Sequence, residues 1–162
     1  MNPCPCGNLG SEKEACVCLP QMAWRYRKKI SGPLLDRFDL QVFVPRETYT
    51  NLSSVKISES SEKIRKKVDL ARQIQAERFK KYGFLTNAEI NLKNIKEICP
   101  LSPSAEEVLG KIVEKKNISG RGYHRILKVS RTIADLEQSE IIQQNHVSEA
   151  VNFRLSDLSQ MS

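Results

Sequence analysis

The stretch "SGRGYHRILKVSRTIADLEQ" (119–138) carries the longest unbroken helical pattern in the chain, with Ile126, Val129, Ile133 and Leu136 recurring on one face. Working outward, an upstream helix begins at Ser102-Pro103: Ser is the N-cap, Pro takes the first helical position, and Glu106 and Glu107 sit in the electropositive first turn. Ala105, Val108, Leu109, Ile112 and Val113 form its buried stripe, Lys115 and Lys116 suit its negative end, and it is expected to stop near Asn117. From about Ser60 a third pattern places Ile64, Val68, Ala71 and Ile74 at spacings of four and three, with basic residues on most outer positions. A last helix follows Asn145 and carries Val147, Ala150, Val151 and Phe153. The spacing therefore predicts a mainly α fold, with a helical domain over 60–162 and no internal repeat.

Before this domain the character changes. Residues 46–59, rich in Thr, Ser and Asn without an apolar period, read as a linker. "LQVFV" (Leu40–Val44) is β-branched and aromatic and is stopped by Pro45, so it reads as a strand. Pro20 opens a short basic helix over 20–29, in which Trp24 and Tyr26 lie among Arg25, Arg27, Lys28 and Lys29. Aromatic residues among cations suit base stacking and phosphate contacts, although packing of Trp24 into a core is the simpler expectation.

The chain has 26 Lys plus Arg against 19 Asp plus Glu, a formal charge of +7, with the excess mostly in 25–29, 63–81 and 111–131. This favours anionic partners, nucleic acid or nucleotide phosphates, over the plainer reading of solvated helix faces only when other signals agree. No stretch has the length of a membrane span and the N-terminus lacks a basic-then-apolar signal, so a cytoplasmic protein with no membrane partner is expected.

In 162 residues a core can form without covalent staples, yet Cys4, Cys6, Cys16 and Cys18 crowd the first eighteen positions. Their pattern is C-x-C, nine residues, C-x-C. In extended backbone the i and i+2 side chains share a face, so each pair can offer two thiolates to one tetrahedral ion, and Gly7 and Gly10 suit the turn between them. In a reducing cytosol structural zinc is the favoured reading, with free thiols and disulfides in competition. Four thiolates and one dication add −2, which takes +7 to +5 and leaves the chain basic. Cys99, alone in "IKEICPLS", reads as a small buried hydrophobe.

No complete catalytic site is present. The sequence contains no G-x-x-x-x-G-K-[ST], H-E-x-x-H or G-x-S-x-G, and His124 and His146 suit surface or helix-terminal roles. Two arginines are nevertheless oddly placed. Arg37, in "GPLLDRFDL", is flanked by Asp36 and Asp39, and the bland reading ties it into a weak surface salt bridge. Arg121 stands at the start of a helix, where a cation is disfavoured and an anion would be welcome.

Taken together, "NPCPCG…CVC…ISGPLLDRFDL", "SGRGYHRILKVSRTIADLE" and "HVSEAVNFR" resemble the C-terminal part of the magnesium-chelatase-like AAA+ ATPases associated with bacterial competence. The resemblance implies that 1–45 is the C-terminal edge of an AAA+ core, with its last strand and a four-cysteine insertion over 3–20, and that 60–162 is the helical lid. It further implies a ring-shaped motor, expected to be a homohexamer, that uses ATP and magnesium to drive helicase or branch-migration work on DNA during recombination. By the same resemblance Asn2 matches the sensor-1 polar residue, Arg37 the arginine finger, and Arg121 the sensor-2 arginine, with Arg125 one turn further on as the second candidate. Cys4, Cys6, Cys16 and Cys18 would form a zinc insertion, and Arg25, Arg27, Lys28 and Lys29 would meet DNA phosphates. The Walker A and B segments of such a motor are expected before residue 1, so these residues alone are expected not to hydrolyse ATP. A free-standing zinc-stabilised DNA-binding module and the ATPase subunit of a metal chelatase are the competing readings.

Overall fold

Serine hydroxyls start the three main helices. The Oγ atoms of Ser60, Ser102 and Ser119 accept from the backbone N–H of Lys63, Ala105 and Gly122 at 3.3, 3.3 and 3.0 Å, each satisfying a donor that a helix start would leave unpaired. In the computed structural model, which describes residues 1–11, 14–42, 44 and 59–154, these helices are α3 (Ser61–Phe79), α5 (Pro103–Lys115) and α6 (Gly120–Leu136). The shorter ones are α1 (Pro20–Arg27), α2 (Gly32–Leu35), α4 (Ile95–Ile98) and α7 (Gln144–Asn152), with a 3-10 turn at Asn87–Glu89. Asn117, at φ 48°, adopts the left-handed backbone that turns the chain from α5 into α6.

The helical domain is built on α6. Helices α3 and α7 and the 3-10 turn all pack against it, and α5 packs on α7. Leu109, Ile126, Val147 and Ala150 meet in the buried centre, and Cys99 lies there too, its thiol pushed up to about 11 by burial. A parallel bridge between Leu101 and Ile142 ties the starts of α5 and α7 together. Beside the apolar core lies a buried ionic network. Asp135 accepts two bonds from Arg78, one from Arg131 Nε at 3.0 Å and one from Asn87 Nδ2 at 2.8 Å. Arg131 is wholly buried, and burial pulls its guanidinium below the usual arginine range while Asp135 opposes the shift; its remaining donors go to the carbonyls of Ser139 and Glu140.

Several expectations change here. Leu40, Gln41, Val42 and Val44 are not in a strand; Phe43 lies outside the described residues. A strand exists only as part of a ladder, and among the described residues this segment has no neighbouring strand, while Gln41 N donates to Phe153 O at 2.6 Å. Ile64 and Val68 are exposed, because the first half of α3 projects past the elements that cover Ala71, Gln75 and Phe79. Leu136 is also exposed, and so is Trp24, at 52 %, contrary to the expected core role. The proposed linker 46–59 lies almost entirely outside the described residues, as do the last residues of the 60–162 domain. His146 does take a helix-terminal role: its Nδ1 accepts from Gln143 N at 3.0 Å, leaving Nε2 to face Glu137 at 2.9 Å. Among the described residues no helix is long and apolar enough to cross a membrane.

Candidate functional site

The cysteine loop closes on itself. Gly7 and Gly10 take φ of 85° and 81°, a region costly for any residue with a Cβ, and Gly7 N donates to Cys4 O at 3.1 Å. The turn gathers the Sγ atoms of Cys4, Cys6, Cys16 and Cys18 within 4.8 Å of one another, with Cys4–Cys6 at 3.4 Å and both Cys4–Cys16 and Cys6–Cys16 at 3.6 Å. Around a zinc ion with Zn–S of about 2.3 Å, tetrahedral sulfur atoms stand about 3.8 Å apart, so the donor set fits the ion in number, softness and spacing. The Asn8 N–H, helped by the Cys4 and Cys18 thiols, holds Cys6 down at about 6. Cys16 is pushed up to about 12 despite a favourable Cys18 N–H, by desolvation and the neighbouring sulfur atoms. One thiolate thus suppresses the next, a conflict that a central dication removes.

Straight after this loop, α1 presents Arg25 to solvent and the turn that ends it presents Lys28 and Lys29. Lys28 Nζ lies 3.8 Å from the Trp24 ring centroid and Lys29 Nζ 5.6 Å from that of Tyr26, so cations and aromatic faces alternate along one short element. Trp24, Arg25 and Arg27 line an open groove with Pro20 and Gln21.

The segment 36–39 lies on the helical domain, and there Arg37 does not form the expected surface salt bridge among the described residues. Asp36 pairs with Arg154 and also accepts from Ser119 Oγ at 3.0 Å. Asp39 pairs with Arg125, which in addition donates to the Arg37 carbonyl. Both acids that flank Arg37 are therefore taken by residues of the helical domain, and Arg37 is exposed, donating among the described residues only to Pro33 O at 3.2 Å one turn back. Arg121, the second residue of α6, is exposed and forms no hydrogen bond or ion pair among the described residues. Asn2 is exposed beside the cysteine loop, its Nδ2 3.5 Å from the position a Cβ would take at Gly7. No hydrogen bond joins Asn2 to Arg37 or Arg121 among the described residues. Arg154 was missed by sequence reasoning as a site residue: it stands at the end of "HVSEAVNFR", and nothing in its local pattern reveals that its guanidinium reaches back 118 positions.

The family profile described as magnesium chelatase, subunit ChlI C-terminal, matches residues 58–154, and that of magnesium chelatase, subunit ChlI, matches residues 1–52. This chain belongs to the magnesium-chelatase-like AAA+ ATPase family. Over 155 residues it is 42 % identical to the competence protein ComM of Haemophilus influenzae, with 95 % of this chain and 29 % of that protein covered. It is 37 % identical over 158 residues to YifB of Escherichia coli and 35 % identical over 158 residues to YifB of Salmonella typhimurium, covering 97 % of this chain and 30 % of each relative. The chain thus spans less than a third of the length of the relatives it matches.

Proposed function

We propose that these residues are the nucleotide-sensing, C-terminal part of a ring-forming ATP-driven motor that acts on DNA. The observation that carries this reading is the fate of the charges around Arg37. Its two acidic neighbours are paired with Arg125 and Arg154, so among the described residues its guanidinium has no acidic partner, and it faces solvent, as an arginine offered to another subunit's nucleotide must. Such a residue stabilises charge on the transferred phosphoryl group, worth roughly 10³- to 10⁵-fold in rate. Arg121 adds a guanidinium to the electropositive start of α6, an anion site that reports the state of the bound nucleotide to the lid. Of the two candidates Arg121 is taken as the nucleotide ligand and Arg125 is not, since Arg125 donates to Asp39 and Arg37 O. Asn2 acts from the core side as the sensor-1 group, and ATP with magnesium is held by parts of the motor outside these residues. Cys4, Cys6, Cys16 and Cys18 hold a structural zinc ion that stiffens the loop leading into α1, and Arg25, Arg27, Lys28 and Lys29 meet DNA phosphates.

The test is Arg37→Ala in the full-length ATPase that carries this segment. ATP hydrolysis is expected to fall by at least about a thousandfold while nucleotide binding persists. Turnover within tenfold of the parent sinks the assignment. The name carried by both family profiles supports a second reading, a motor that drives metal insertion into a porphyrin. ATP-dependent unwinding of branched DNA against ATP-dependent metallation of a porphyrin separates the two.

A further inference from the structure

We propose that Arg125 and Arg154 are positioning residues for Arg37, fastening the segment that bears it to the lid so that the two move as one body. This rests on the reading of Arg37 as a residue offered to another subunit. Every residue from Asp36 to Asp39 gives the lid at least one oxygen. Arg154 takes the Asp36 carboxylate, with Nη2 3.5 Å from the Asp36 carbonyl and Nη1 3.3 Å from that of Phe38. Arg125 takes the Arg37 carbonyl and the Asp39 carboxylate. Bonds to carbonyls fix the path of the backbone, which charge attraction alone does not.

The two arginine side chains are largely covered: Arg154 is 9 % exposed with Asp36 at 34 %, and Arg125 is 20 % exposed with Asp39 at 63 %, against 73 % and 77 % for the two members of the Lys66–Glu62 pair on α3. The packing around Arg154 is also built for it. A Cβ at Gly122 would stand 3.2 and 3.3 Å from its Nη2 and Nε, so glycine at that position leaves it room.

The same turn carries the anion-sensing end of α6. Ser119 Oγ accepts from Gly122 N as the helix cap and donates to Asp36 Oδ2. Arg121 and Arg125 are four residues apart on one helix, about 6 Å along its axis. A shift of α6 when an anion binds at Arg121 therefore carries the Arg37 segment with it. Misplacement by about 1 Å is enough to cost on the order of a hundredfold in rate.

Two measurements test this. In the full-length ATPase, Arg125→Ala and Arg154→Ala are each expected to lower kcat by about tenfold or more with KM for ATP nearly unchanged, and Arg37→Ala/Arg125→Ala to be no slower than Arg37→Ala alone. Asp39→Asn, at a side chain 63 % exposed, probes the same contact with no risk to the core and is expected to lower kcat in the same direction. In the 162-residue chain, hydrogen exchange at 36–41 is expected to quicken in Arg154→Ala while the amides of α6 around Ile133 stay protected. Unchanged kcat in all three single variants, an additive double variant, or general loss of α6 protection overturns the proposal. Full activity of Arg37→Ala overturns the underlying reading instead.

Discussion

Gly110 and Gly122 both lie inside helices, and on helix propensity alone replacing either by alanine stabilises the protein by up to about 1 kcal/mol. The structure separates them. A Cβ at Gly110 meets nothing within 4 Å, so Gly110→Ala is expected to raise stability by about 0.5–1 kcal/mol. A Cβ at Gly122 falls 2.7 Å from Ile118 Cγ2, an atom fixed directly on a branched Cβ, and 3.2 Å from Arg154 Nη2. Relieving such overpacking costs about 1–3 kcal/mol against a propensity gain of up to about 1 kcal/mol, so Gly122→Ala is expected to lose up to about 2 kcal/mol. At roughly 4–8 °C per kcal/mol for a domain of this size, the two melting temperatures move in opposite directions. Urea and thermal unfolding followed by far-ultraviolet circular dichroism read both. If Gly122→Ala is as stable as its parent or more so, the close approach of Arg154 and Ile118 to the start of α6 is wrong, and the argument for a fastened Arg37 segment weakens with it.

Asp135→Ala should destabilise the helical domain by about 3–5 kcal/mol, because it leaves the buried Arg131 without its carboxylate; a loss below about 1 kcal/mol in urea unfolding would contradict the network. Chain purified under reducing conditions should hold about one zinc per molecule, and Cys6→Ser or Cys16→Ser should lower that content while leaving the helical signal of α5–α7 unchanged; retention of full metal content in both variants refutes the four-sulfur site. Replacing Arg25, Arg27, Lys28 and Lys29 by Gln should weaken binding to single-stranded DNA and flatten the slope of log affinity against log salt by up to about 3. An unchanged slope removes α1 from the DNA surface.

The sequence by itself determined the elements whose signals are local. Ser102 and Pro103 begin α5 by chemistry confined to one turn, the 3.6-residue stripe of 119–138 makes α6, and C-x-C pairs with Gly7 and Gly10 between them make a four-sulfur cluster. It also carried the family resemblance, because the dense blocks 2–40 and 119–154 keep their residues in order. Whether an apolar residue is covered is another matter, since periodicity names a face and not its partner. Ile64 and Val68 have the right spacing and are exposed, and "LQVFV" has strand composition, yet Leu40, Gln41, Val42 and Val44 have no ladder among the described residues. Charge pairing was decided by the tertiary structure for the same reason. Close in sequence, Asp36, Arg37 and Asp39 invite pairing among themselves, but the folded helical domain brings Arg125 and Arg154 from 86 and 118 positions away, and they capture both acids and leave Arg37 exposed.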